Sequence, residues 1–173
     1  GNYIESERSI ILAVIPARPD IEADPALELI KEYDPVGKRT VGVLTKIDLM
    51  NNNTDIADYL NNNNISKDLQ FNYGYYAVKN RGQLDTPILE GIKEEKDYFL
   101  YHPIYKELTC QDRLGSYNLS SDLSKILVNH IRKNIPKLIS EVQKNLTIIN
   151  NDLLSIGPQL PENDDGKMSL LFS

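Results

Sequence analysis

The hydrophobic positions in the first half of the chain form short apolar runs separated by polar turns. Residues 10–15 are continuously apolar and rich in β-branched side chains, which predicts a strand buried on both faces of a parallel sheet. Residues 40–44 and 74–78 predict two more strands. Residues 24–33 begin with a capping aspartate and a proline and then show helical spacing, which predicts a helix. The alternation of strand, helix and strand is typical of an α/β sheet with right-handed crossovers.

The second half of the chain has the periodicity of helices. Residues 86–100 have a mostly helical pattern, and residues 119–135 and 138–153 carry apolar stripes with spacings of three and four. Pro136 lies between the two stripes, and because proline lacks an N–H we expect it to interrupt or kink the helix there. Gly157 is expected to end the second helix. The pattern therefore predicts an α/β body followed by a kinked helical extension.

Asparagine-rich tracts interrupt the pattern in the middle of the chain. They lie at residues 51–53 and 61–64, around a short helix predicted over 54–60. Polar tracts of this kind cannot bury a core, so we expect solvated loops there.

Composition and charge narrow the range of partners. The net charge is -6 and the isoelectric point is near 5.0, whereas a protein that grips nucleic acid needs a basic face. We therefore expect no nucleic-acid partner. The single cysteine, Cys110, cannot form an internal disulfide, and no apolar run is long enough to span a bilayer, so we expect a cytoplasmic protein. His102 and His130 are too isolated to predict a metal site.

The most specific motif follows the second predicted strand, and its sequence is Thr45-Lys46-Ile47-Asp48. Ligands of open α/β sheets bind outside the carboxyl ends of the strands, so the position suits a binding loop. One aspartate carboxylate can accept two hydrogen bonds from guanine, from the ring N1–H and the exocyclic amino group, and adenine has no such pair of donors. Lys46 would lay its aliphatic stem along the base or brace the loop. The alternative is a solvated turn.

A second polar loop follows the third predicted strand, and it contains Asn80, Arg81, Gly82 and Gln83. Because both loops follow parallel strands, we expect them to meet at one edge of the sheet. An asparagine amide can hold the base or ribose, and an arginine plane can stack on a purine. The alternative is a polar turn that joins a strand to a helix.

Taken together, these segments resemble the dynamin superfamily of large GTPases. The resemblance runs in register over nearly the whole chain. The tail resembles the Mx branch most closely, with the dynamin and vacuolar-sorting branches as the alternatives. The resemblance is carried by residues 10–17, 20, 24, 34–35, 37, 39–50, 78–83, 99, 102–103, 105, 114–115, 127–132, 135–136, 156–161 and 166–168. It implies an α/β fold with a partial three-layer sheet like that of the P-loop GTPases, without the P-loop half, followed by the kinked helical extension.

The resemblance also implies a division of the chain and a set of roles. Residues 1–135 would be the C-terminal part of a dynamin-type GTPase domain, residues 136–155 a helix of the bundle-signalling element, and residues 156–173 the hinge and the start of the stalk. Pro136 would be a hinge. The residues that bind GTP or GDP would be Thr45, Lys46, Asp48, Asn80, Arg81 and Gln83.

Partners are implied in the same way. The family assembles through GTPase-domain dimers and its stalk, and Asp20 matches a loop that reaches across the dimer. In the alternative reading, Asp20 caps a turn after Pro19. The parent protein would act on membranes or microtubules or on a trapped target, and a peripheral location at membranes follows from that.

The phosphate-binding half of a GTPase site is missing from the sequence. The sequence contains no G-x-x-x-x-G-K-[ST] loop, and it has no D-x-x-G switch ahead of residue 10. In the family, both motifs precede this segment. We therefore assign no catalytic residue, and we expect the ligands of the parent's Mg²⁺ to lie outside this chain. The parent resembles a GTPase, but this chain alone is not expected to hydrolyse GTP. The alternative is a truncated or degenerate relative that serves as a non-catalytic interaction module.

Asn51 also stands where the dynamin branch carries a further aspartate.

Overall fold

The computed structural model describes residues 3–50, 56–82 and 86–157. The chain divides into two compact units, residues 1–130 and 131–173. The regular elements are β1 (Ile11–Pro16), α1 (Pro25–Tyr33), β2 (Thr40–Thr45), α2 (Ala57–Leu60), β3 (Tyr75–Ala77), α3 (Ile88–Tyr101) and α4 (Ser116–Ile156). Short 3-10 helices lie at Ile47–Leu49, Lys67–Leu69, Tyr105–Glu107 and Gln111–Arg113. No helix in these ranges is both long and apolar enough to cross a bilayer.

The first unit is built on a parallel sheet with the strand order β1-β2-β3. On one face, Leu27 and Ile30 of α1 pack in a cluster with the buried side chains of β1. On the other face, Val41 and Val43 of β2 pack against apolar residues from the first turns of α4, including Leu119 and Leu123. The sheet therefore lies between two helical layers, which confirms the predicted three-layer α/β fold.

The prediction that the first strand is buried on both faces is wrong. Ile11, Ala13 and Ile15 are buried, but Leu12 and Val14 remain 45% and 54% exposed. The helix that covers the second face packs on the side chains of β2 and β3, and β1 lies at the end of the described sheet. A continuous apolar run is therefore compatible with one covered face.

Two buried carboxylates, one at the start of α1 and one before β2, fix where these elements begin. The Asp24 carboxylate caps α1 by accepting a hydrogen bond from Ala26 N at 3.0 Å, as the sequence predicts. Asp34 accepts hydrogen bonds from the backbone N–H groups of Lys38 and Arg39 and from the Thr40 hydroxyl. The buried guanidinium of Arg39 in turn donates to carbonyl groups of the N-terminal segment and of α1. These bonds hold the amino end of β2 in register with β1.

The sequence predicts an interruption or a kink of the helical extension at Pro136. α4 runs unbroken from Ser116 to Ile156, with Pro136 inside it, so the helix is not interrupted there and the second predicted helix is its continuation; the kink stays a prediction. Proline removes only one backbone hydrogen bond, and many cooperative bonds on both sides of it maintain a helix of this length. Gly157 has a φ of +89° and ends the helix as predicted. The part of α4 in the second unit is largely exposed, including its apolar stripe.

Candidate functional site

The first predicted loop turns sharply where β2 ends. Thr45 is buried, its hydroxyl donates to Ile15 O at 3.4 Å, and its carbonyl accepts from Ala17 N at 2.7 Å. Lys46 has a left-handed φ of 57° and begins the 3-10 helix, in which Ile47 is 1% exposed. Asp48 and Lys46 are exposed. The loop is therefore fixed by one buried apolar side chain, and it presents two charged groups to solvent.

The second predicted loop leaves the neighbouring strand at the same end of the sheet. Val78 N donates to Leu44 O at 2.8 Å, so the pairing of the two strands continues to the point where the loops begin. Asn80 and Arg81 follow and are exposed. Gln83 lies outside the described residues. The sequence prediction that the two loops share one edge of the sheet is consistent with this pairing.

Arg81 lies across the start of α3. Its guanidinium donates to the carbonyl oxygen of Thr86, and its stem covers Gly91. A Cβ atom added at Gly91 would lie 2.3 Å from Arg81 Cγ, which is far inside van der Waals contact. Glycine at this helical position is thus what allows the Arg81 stem to lie there.

Tyr98 of α3 connects the two loops electrostatically. The Lys79 ammonium lies 5.7 Å from the centroid of the Tyr98 ring. Burial raises the pKa of the Tyr98 hydroxyl, and the negative charge of Asp48 raises it further. Tyr98 therefore lies beside Lys79 of the second loop, and its hydroxyl lies in the electrostatic field of Asp48 of the first loop.

A cavity of about 590 Å³ lies on the α3 side of the second loop. Asn80 and Arg81 line it together with residues of α3 and of the first turns of α4, whereas Thr45, Lys46 and Asp48 do not. The two loops therefore do not share this cavity.

Glu95 belongs to the surroundings of the second loop, and the sequence reasoning missed it. It is 4% exposed, and its carboxylate accepts hydrogen bonds at 2.9 Å from both Lys79 N and Ser116 N. The Ser116 hydroxyl donates to it as well. The available signal was position, since Glu95 lies four residues after Gly91 and four before Phe99 on the buried stripe of α3.

The remaining predicted residues lie elsewhere. Asp20 is exposed in the loop between β1 and α1, and the residue that caps α1 is Asp24. Pro136 is exposed in the part of α4 that belongs to the second unit. Across the part of the chain that the structure describes, no three His, Cys, Asp or Glu residues form a group that could hold a metal ion.

Comparison with known proteins gives two family matches that together cover most of the chain. The model of the dynamin central region matches residues 55–173, and the dynamin family model matches residues 1–47.

Three relatives illustrate the similarity. Dynamin-B of Dictyostelium discoideum is 38% identical over 175 residues, and Dynamin-A of the same organism is 40% identical over 174 residues; these alignments cover 99% and 98% of the chain. Human Dynamin-2 is 41% identical over 158 residues, which cover 87% of the chain. The chain spans 18%, 20% and 17% of the lengths of these three relatives.

Proposed function

Because the chain belongs to the dynamin family of large GTPases, we propose that its two loops bind the guanine base and the ribose of GTP and GDP in the full-length protein. One observation carries this proposal: β2 and β3 are paired up to their carboxyl ends, both loops begin there, and Asp48 is exposed.

Asp48 is the residue that selects guanine. Its carboxylate is open to solvent, so both oxygens can accept hydrogen bonds from N1–H and from the exocyclic amino group. A base without these donors would leave the carboxylate unsatisfied and would bind more weakly. Lys46 starts the turn that carries Asp48, and its stem can lie along the base.

Asn80 and Arg81 contribute from the second loop. The stem of Arg81 is held against Gly91, so the guanidinium is presented from a fixed base and not from a freely rotating chain. Asn80 offers an amide to the base or ribose. We include Thr45 as a support of the first loop and Gln83 as a further contact.

The activity of the whole protein is part of the same proposal. The phosphates and Mg²⁺ would be held by residues outside this chain, and hydrolysis would be carried out by the full-length protein. Self-assembly through the GTPase-domain dimer and the stalk would use Asp20, the hinge at Pro136 and residues 136–173. We propose a cytoplasmic protein that is peripheral at membranes. The relationship to the Mx branch stays a prediction.

The test is the nucleotide preference of the full-length protein after Asp48→Asn. An amide presents a donor where the exocyclic amino group of guanine needs an acceptor, whereas it matches the oxygen at that position of xanthine. We expect affinity for GDP to fall by about 100-fold and affinity for xanthosine diphosphate to rise. Asp97→Asn on the exposed surface of α3 makes the same change of charge and should leave both affinities unchanged. A retained preference for GDP in the Asp48 variant would remove Asp48 from this role.

A non-catalytic assembly module is the second candidate. The observation that favours it is the apolar stripe of α4 in the second unit, where Leu138, Val142 and Leu146 are all about half exposed. Measuring GTP turnover by the full-length protein separates the two candidates, because only the first predicts hydrolysis.

A further inference from the structure

We propose that Glu95 is a positioning residue for nucleotide recognition, which holds the second loop in its binding conformation by joining it to the first turn of α4. This inference rests on the proposed function, because it assigns Glu95 a role in the site formed by Asn80 and Arg81. Glu95 itself is buried and is not expected to contact the nucleotide.

The two oxygens of the carboxylate are used for different parts of the fold. Oε1 accepts the hydrogen bond from Lys79 N at 2.9 Å. Oε2 accepts from Ser116 N at 2.9 Å and from the Ser116 hydroxyl. A single rigid group on α3 thus joins the loop after β3 to the start of α4, across 16 and 21 residues of sequence.

The hydrogen bonds that hold the Glu95 carboxylate come from backbone N–H groups and a hydroxyl, and none of them is an ion pair. The partial positive charge at the start of α4 stabilises the negative charge. The first N–H groups of a helix have no partner within the helix and carry partial positive charge, and Ser116 begins α4. Gly115 has a φ of +90°, a left-handed conformation that favours glycine, and it brings Ser116 N to the carboxylate. Glu95 therefore caps α4 from a different helix while it also fixes Lys79.

Fixing Lys79 matters because Asn80 and Arg81 come directly after it. The same face of α3 holds Arg81 one turn earlier, at Gly91. The backbone of the loop is thus held at Lys79, and the side chain of Arg81 is held at Gly91. Asn80 lies between these two attachments and therefore has a defined position. A loop without the first of these attachments would have to be ordered by the nucleotide, and that cost would lower the affinity.

A glutamine at position 95 provides a sharp test. It keeps the size of the side chain, but one of its two terminal atoms becomes a donor that faces another N–H donor. Glu95→Gln therefore breaks one of the two links. Glu94→Gln is the matched control, since it lies next to Glu95 on the same helix, is exposed, and loses the same charge.

The experiment measures the affinity of the full-length protein for fluorescent GDP. We expect Glu95→Gln to weaken binding by about tenfold, and Glu94→Gln to bind like the unchanged protein. Ser116→Ala removes only the hydroxyl donor, so it should fold readily and weaken binding by about threefold. It keeps the proposal testable if the glutamine variant folds poorly.

A double variant distinguishes a positioning role of Glu95 from a general structural role, because it shows whether the affinity cost of Asn80→Ala depends on Glu95. If Glu95 acts through the loop, Asn80→Ala should cost much less affinity in the Glu95→Gln background than in the unchanged protein. Additive losses in the double variant would overturn the proposal, as would equal affinities of the two glutamine variants. Either of these overturning results refutes only the role of Glu95 if the unchanged protein prefers guanine and Asp48→Asn abolishes that preference. If the unchanged protein shows no guanine preference, the proposed function and this inference both fail.

Discussion

The two loops at the edge of the sheet are held in place by different means. The loop of residues 45–48 is stabilised locally, by the buried side chain of Ile47 and a left-handed turn at Lys46. The loop that begins at Lys79 is stabilised by distant residues, Glu95 and Gly91 of α3. The first loop is therefore anchored in the hydrophobic core by one of its own side chains, and the second depends on the packing of a helix that follows it.

This difference separates stability from binding. Changes that remove the buried anchor of the first loop should destabilise the fold, because Ile47 belongs to the main hydrophobic core. Changes that release the second loop should leave the core intact and weaken binding. The three substitutions below test this contrast, in order of decreasing effect.

Ile47→Ala should have the largest effect. It removes most of a fully buried side chain and leaves a cavity, so we expect the free energy of unfolding to fall by about 2–5 kcal/mol. Leu49→Ala is the control, because Leu49 lies in the same 3-10 helix but is 74% exposed. Thermal unfolding followed by circular dichroism measures both. Similar losses in the two variants would contradict the local stabilisation of this loop.

Gly91→Ala should weaken nucleotide binding without weakening the fold. The new methyl group would occupy the space of the Arg81 stem, so the arginine must leave its place on α3. Alanine favours a helix interior by about 1 kcal/mol over glycine, which offsets the displacement. We expect GDP affinity to fall by about fivefold with unchanged thermal stability. Gly82→Ala should change neither quantity, because an added Cβ meets no atom of the residues that the structure describes within 4 Å.

Lys46→Gly should have the smallest effect of the three, with a change in the free energy of unfolding that is opposite in sign to that of Ile47→Ala. A left-handed conformation strains a lysine and not a glycine, and after the extra flexibility of glycine is subtracted we expect a gain of up to about 1 kcal/mol. The same change removes the stem that would lie along the base, so affinity for GDP should fall. Lys46→Ala should lose the affinity without gaining stability. A glycine variant that binds as tightly as the unchanged protein would rule out a role for the lysine stem.

The sequence predicted those parts of the fold that depend on local chemistry. The three strands, the cap of α1 at Asp24 and the stop at Gly157 all follow from residue type and spacing. Of the interruption or kink predicted at Pro136, the interruption does not occur, because the helix is long enough to continue across a missing hydrogen bond.

The positions of the two candidate loops were predicted by the same reasoning, and the binding roles of their residues stay predictions. The positions of both loops followed from the strands before them, whereas Glu95 was missed because its partners, Lys79 and Ser116, are brought to it only by the tertiary fold. The spacing along the chain places Glu95 on the buried stripe of α3, but it does not indicate which N–H groups the tertiary fold brings to the carboxylate.

The half-covered strand β1 has a consequence for handling the protein. In the described part of the sheet it pairs on one side only, and Leu12 and Val14 face solvent beside its free edge. An apolar strand with an open edge is a template for pairing with other chains, which leads to aggregation. When this segment is prepared alone, its solubility would be limited by β1, and a lysine at position 12 or 14 would be the direct remedy.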